Sequence, residues 1–205
     1  MEVVMKKNLL LSFLLFGSIH QAKSMQFLKD IIRNSTIENT ARNPTLKNLL
    51  FNAGLWYCTS IACNIGHELG HVLATKLLFN KTAYPHISPL PWKGGYTTQS
   101  FYMPEGKRNA LVCIAGPICG IATAYALLKG NTIANLYLQG SPLTQALSEG
   151  LKQSAFNFDI NCGLAYGALI STCMDILTLI PYKIENDGFQ AFRTLWVISK
   201  NNSSS

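Results

Sequence analysis

Acidic side chains are what this chain has least of: ten Asp and Glu against 17 Lys and Arg in 205 residues, for a net charge of +7. Charged residues of both signs make up 13% of the sequence while 48% is hydrophobic. A water-soluble domain carries about 25% charge, so the deficit points to contact with lipid. The basic residues are scattered, and no basic stripe interleaves with aromatics, which argues against nucleic-acid binding. Charges flanking membrane segments account for the excess instead. No two cysteines form a Cys-x-x-Cys pair. Cys58, Cys63, Cys113, Cys119, Cys162 and Cys173 each fall in or beside an apolar segment, where packing as small hydrophobes is the expected role rather than a disulfide framework. There is no internal repeat, and the length suits one domain or a compact membrane protein.

What is present is a series of apolar segments. Residues 1–24 carry Lys6 and Lys7, an apolar core from Leu9 to Ile19, then Ala22 and Ser24. This is the pattern of a signal peptide or signal anchor, with a core too short to cross about 30 Å of hydrocarbon comfortably. Residues 25–45 read as an amphipathic linker in which Phe27, Leu28, Ile31 and Ile32 share a helical face. Pro44 breaks the chain, and Thr45 is placed to cap a long helix reaching about Phe79. From Asn80 to Gly106, Pro85, Pro89, Pro91, Pro104, the pair Gly94-Gly95 and the β-prone "GGYTTQSFYM" predict strands or a hairpin.

A charge-free stretch from Asn109 to Leu128 has the length of a spanning helix and ends before Lys129-Gly130. Gly116-Pro117 should kink it or admit a neighbour closely. "QGSPLTQALSEGLKQ" predicts a turn and a short amphipathic helix. A third apolar helix runs from about Ile160 to Ile180, with Asp175 as its one charge, and Pro181 stops it. A turn in "YKIENDGF" and a short helix with Phe189, Phe192, Leu195 and Trp196 complete a domain over 46–198; the polar residues 199–205 are expected to be disordered. The expected fold is mainly α: a multi-pass core of three transmembrane helices with a small β-sheet or hairpin near one membrane face.

Within the first long helix, "HELGH" at 67–71 stands in a run otherwise free of acidic and basic side chains from Asn48 to Thr75. His67 and His71, four apart, lie one above the other on one helical face, where both imidazoles can hold one metal ion. This is the His-Glu-x-x-His arrangement in which two histidines bind zinc and the glutamate, here Glu68, takes a proton from activated water. A catalytic zinc wants a third protein ligand. Asp187, beyond the third helix and on the same side as the strands, is the leading candidate; Asp175, Glu185 and His86 are its rivals.

These residues resemble the site-2 protease family of intramembrane zinc metalloproteases. The resemblance is carried by "HELGH" at 67–71, "KGGY" at 93–96, "AGP" at 115–117, and Pro181 with "DG" at 187–188, in that order, and covers most of residues 50–195. Thr178 stands where the family often has asparagine, and Phe189 where it often has a second glycine. The resemblance implies that His67, His71 and Asp187 bind Zn2+, that Glu68 is the general base, and that Gly94 and Gly95 lie where an extended substrate pairs with the sheet edge. It implies an endopeptidase acting on membrane-embedded protein substrates in a bilayer, such as a bacterial-type cell membrane. The alternatives are a catalytically silent membrane protein of the same fold that binds or scaffolds, and a secreted soluble zinc peptidase.

Overall fold

The structure, a computed structural model, describes residues 26, 29–30, 32–100, 106–154, 160–181 and 186–202. The signal over 1–24, Phe27, Leu28 and Ile31 of the amphipathic face, the candidate ligand Glu185 and residues 203–205 of the tail lie outside the described residues.

The elements in order are α1 (Ile37–Arg42), α2 (Leu46–Phe79), β1 (Ala83–Ile87), a 3-10 turn (Pro91–Lys93), β2 (Gly95–Gln99), α3 (Lys107–Leu138), α4 (Leu143–Lys152), α5 (Cys162–Leu179) and α6 (Asp187–Asn202). The protein is thus mainly helical with one two-stranded antiparallel sheet. Local chemistry sets the ends of α2. Thr45 Oγ1 accepts from the Asn48 N–H at 3.2 Å, and Asn80 closes the helix in the left-handed region at φ 52°, a conformation that asparagine tolerates better than most residues. In the hairpin, His86 pairs with Tyr96 and Ile87 with Gly95. The sheet is tied to α2: Tyr57 donates to the Pro89 carbonyl at 2.7 Å and Asn64 Nδ2 to the Pro91 carbonyl at 3.0 Å.

Helices α2, α3 and α5 pack against one another through glycines four residues apart: Gly66 and Gly70, Gly116 and Gly120, Gly163 and Gly167. A Cβ on Gly70 would collide with the Ala115 carbonyl, one on Gly163 with the Asn52 carbonyl, and one on Gly167 with Thr59. Such small-x-x-x-small faces let helix backbones approach closely, as membrane helices do. Pro117 lies inside a continuous α3. The close approach expected at Gly116-Pro117 is observed, with His71 lying against Gly116.

The interior of α2 is polar and its exterior is not. Asn48, Asn52, Thr59, Ser60, Glu68, His71 and Thr75 are buried, while Leu46 and Leu77 are each 74% exposed and Leu50, Leu69 and Leu73 are exposed with them. A helix in a water-soluble protein is patterned the other way round. Asn52 uses its burial to join elements: its Oδ1 accepts from the Gly163 N–H at 2.9 Å and its Nδ2 donates to Thr40 Oγ1 at 3.1 Å.

Among the described residues two helices, α3 and α5, are long and apolar enough to cross a membrane. Three were expected. The polar inner face of α2 lowers its mean hydropathy although its outer face is leucine-rich. Two boundaries also move. Lys129, expected to follow the end of the second apolar helix, is inside α3 and buried. Its charge is met by carbonyls at the C-terminal end of α4: Nζ donates to Gly150 at 3.4 Å, Leu151 at 2.9 Å and Gln153. Helix α6 extends to Asn202, into the segment expected to be disordered.

Candidate metal centre

His67 and His71 project from α2 toward the start of α6, and each ring is held at its far nitrogen. His71 Nδ1 lies 2.8 Å from the Val112 carbonyl of α3. A carbonyl only accepts, so Nδ1 of His71 carries the proton. His67 Nδ1 lies 2.7 Å from Asp175 Oδ1 of α5 and donates to that carboxylate in the same way. In a neutral imidazole one nitrogen carries the proton and the other a lone pair. With both rings neutral, both Nε2 atoms are acceptors, and they face each other at 3.2 Å.

Asp187 adds a third acceptor. Its Oδ2 is 3.2 Å from His67 Nε2 and its Oδ1 is 3.5 Å from His71 Nε2. Three electron-rich groups converge on one point, an arrangement that calls for a cation or added protons between them. His67, His71 and Asp187 could hold a metal ion, with their donor atoms all within 4.8 Å of one another.

The segment before α6 shows how Asp187 is delivered. Asn186 Oδ1 accepts from the Phe189 N–H at 2.8 Å, an N-cap that starts the helix at Asp187. Asn186 Nδ2 donates to the Ile180 carbonyl at 2.6 Å, tying the new helix to the end of α5. Gly188 packs so closely on that end that a Cβ would collide with the Leu179 carbonyl. "NDG" is thus more than a turn: it supplies cap, donor and close contact in consecutive residues.

Glu68 is buried beside the cluster, its Oε2 accepting from Thr97 Oγ1 of β2 at 2.7 Å. Gly95 backs onto it so closely that a Cβ there would collide with Glu68 Cγ and the His86 carbonyl. A cavity of about 730 Å³ opens onto His67, Glu68, His71 and Asp187, with Gly94 and Gly95 in one wall and Met174 and Thr178 in another. That volume lies within the usual range for ligand pockets, about 300–1,000 Å³.

Of the rivals for third ligand, His86 is on the exposed part of the hairpin, stacked on Tyr96 and bonded to Thr98 Oγ1 at 3.0 Å. Asp175 reaches the site by way of His67 Nδ1 instead of the converging donors. The bond from Thr97 to Glu68 and those from the histidines to Asp175 and Val112 are not legible in the sequence, because each depends on how separate elements dock. The four-residue glycine spacing on three helices was the available signal of that docking. No family model, curated protein or solved structure matches the chain.

Proposed function

We propose that this protein is a zinc-dependent intramembrane endopeptidase of the site-2 protease type, hydrolysing peptide bonds in membrane-embedded protein substrates. The observation that carries the reading is the triangle of donors beside a buried glutamate. His67 Nε2 lies 3.2 Å from His71 Nε2 and 3.2 Å from Asp187 Oδ2, each close to the edge of a tetrahedron with bonds of about 2.0–2.1 Å, which is about 3.3–3.4 Å; the contact with His71 is made by the other Asp187 oxygen, Oδ1, at 3.5 Å. His67, His71 and Asp187 would hold the ion and leave a position open toward the cavity, as a catalytic site needs. Zinc, when bound, polarises a carbonyl and makes water acidic enough to act as a nucleophile near neutral pH.

The chain's own residues do the rest. Thr97 fixes Oε2 of Glu68, leaving Oε1 to take the proton of the attacking water and pass it to the departing amide nitrogen. The cavity between the hairpin and α5 has room for an unwound stretch of substrate. Burial of Glu68 and His71, with His67 half-buried beside them, keeps bulk water from competing for their charges.

The membrane setting is part of the proposal. A leucine-covered exterior around a polar interior on α2 is favourable in lipid and costly in water. With α3 and α5 it supports a multi-pass protein in a bacterial-type cell membrane, and it weighs against a secreted soluble peptidase.

The test is metal analysis of detergent-purified protein, wild type beside His71→Ala and Asp187→Ala, with turnover of single-span model substrates by wild type and Glu68→Gln. We expect one zinc per wild-type chain, loss of zinc in both ligand variants, and zinc without turnover in Glu68→Gln. A metal-free wild type would overturn the assignment; bound zinc without turnover on any substrate would favour a binding or scaffolding role.

A further inference from the structure

Asp175 is a buried carboxylate about one turn from the end of the apolar helix α5, and no step described above uses it. Its Oδ1 sits 2.7 Å from His67 Nδ1. Its Oδ2 is buried with no hydrogen-bond partner among the described residues. A carboxylate in that position is costly unless something requires it. Helix α3 makes room for it with Gly120, where a Cβ would fall on the carboxylate. Three helices therefore meet at this contact: α2 brings His67, α5 brings Asp175, and α3 brings a residue with no side chain.

The geometry points to Asp175 as the positioning residue of the metal centre, which fixes the tautomer and ring orientation of His67 so that Nε2 presents its lone pair to the ion. The inference rests on the metal reading of His67, His71 and Asp187 and adds an outer partner to it. A carboxylate behind a ligating imidazole makes the ring more basic and locks its rotation. His71 has only a neutral backbone carbonyl in the equivalent place. The two histidines are thus unequal, and His67 is the stronger donor.

The test compares wild type with Asp175→Ala, Asp175→Asn and Gly120→Ala, all purified in the same detergent. Zn2+ affinity is read by chelator competition, Co2+ coordination by visible absorption, and the His67 tautomer by 15N NMR of histidine-labelled, metal-free protein. We expect Asp175→Ala to bind Zn2+ about 10–100-fold more weakly and its His67 to populate both tautomers. Asp175→Asn, which keeps an oxygen at the site, should recover part of that loss. Gly120→Ala, which displaces the carboxylate without removing it, should reproduce the loss; it and Asp175→Asn carry the test if Asp175→Ala does not fold.

Wild-type affinity and an unchanged His67 tautomer in folded Asp175→Ala would overturn the inference and leave the metal site standing. A loss as deep as that in Asp187→Ala, with a changed Co2+ coordination number, would also overturn it by making Asp175 a ligand. A wild type that binds no metal, with His67 still held as one tautomer by Asp175, would instead overturn the reading on which the inference rests.

Discussion

Replacing Gly116 with alanine should abolish metal binding at the proposed centre while leaving the helices in place. The added Cβ would lie closer than 3.0 Å to Nε2 and Cε1 of His71, where ordinary contacts begin at 3.4 Å. The ring must then retreat by at least about 0.4 Å, twice the tolerance of about 0.2 Å on a metal–ligand distance. Any retreat also strains the 2.8 Å bond from Nδ1 to the Val112 carbonyl. Losing one of three protein donors should weaken Zn2+ binding more than loss of an outer partner does, hence by more than about 100-fold, or about 2.7 kcal/mol. The fold should survive, because a side chain rather than backbone must yield and alanine is the better helix former by about 1 kcal/mol. Gly54→Ala is the control: it lies in α2, the helix that carries His71, with no atom within 4 Å of the added carbon. Chelator competition and thermal unfolding in detergent read both quantities. Affinity within threefold of wild type in folded Gly116→Ala would refute the placement of His71 against α3.

Other consequences can be measured on the same preparation. Thr97→Val keeps the shape of the strand residue but removes the donor to Glu68; turnover should fall about tenfold or more with zinc content unchanged, since a bond to a charged group contributes about 1.5–3 kcal/mol. Lys129→Met leaves the carbonyls of Gly150 and Leu151 without their donor. It should destabilise by about 1.5–3 kcal/mol, with faster hydrogen exchange in α4 and unchanged metal affinity. Acidification should release the ion, because protons compete for the same Nε2 lone pairs: affinity should fall by about tenfold per pH unit for each proton taken up. Equilibrium dialysis across pH 5 to 8 would detect this, and affinity independent of pH would count against histidine ligation.

Much of the fold could be read from the chain because its signals were local. Thr45 as a cap, the end of α2 at Phe79, the hairpin around Gly94-Gly95 and the amphipathic helix within "QGSPLTQALSEGLKQ" each depend on residues within a turn or two. The number of apolar spans was harder, because α2 mixes a lipid-like exterior with a polar interior and an averaged hydropathy cannot separate the two faces. Lys129 misled for a related reason: a lone charge reads as a helix boundary unless the carbonyls that meet it, some twenty residues on, are known. In the site, HELGH was legible from spacing alone. The choice of Asp187 over Asp175 was not, since both carboxylates reach His67 and only the crossing of α2 with α5 and α6 decides which nitrogen each one faces.

The anchoring of the two imidazoles has a mechanical consequence. The converging groups belong to α2 and α6, and the atoms that aim them belong to α3 and α5, so a cation held at their centre would act as a rivet through four helices. Slippage of any one helix by a fraction of a turn would spoil the fit, and a seated ion would resist slippage of them all. Retention of the ion is then a gauge of bundle alignment, and stripping it should loosen helices that never touch it.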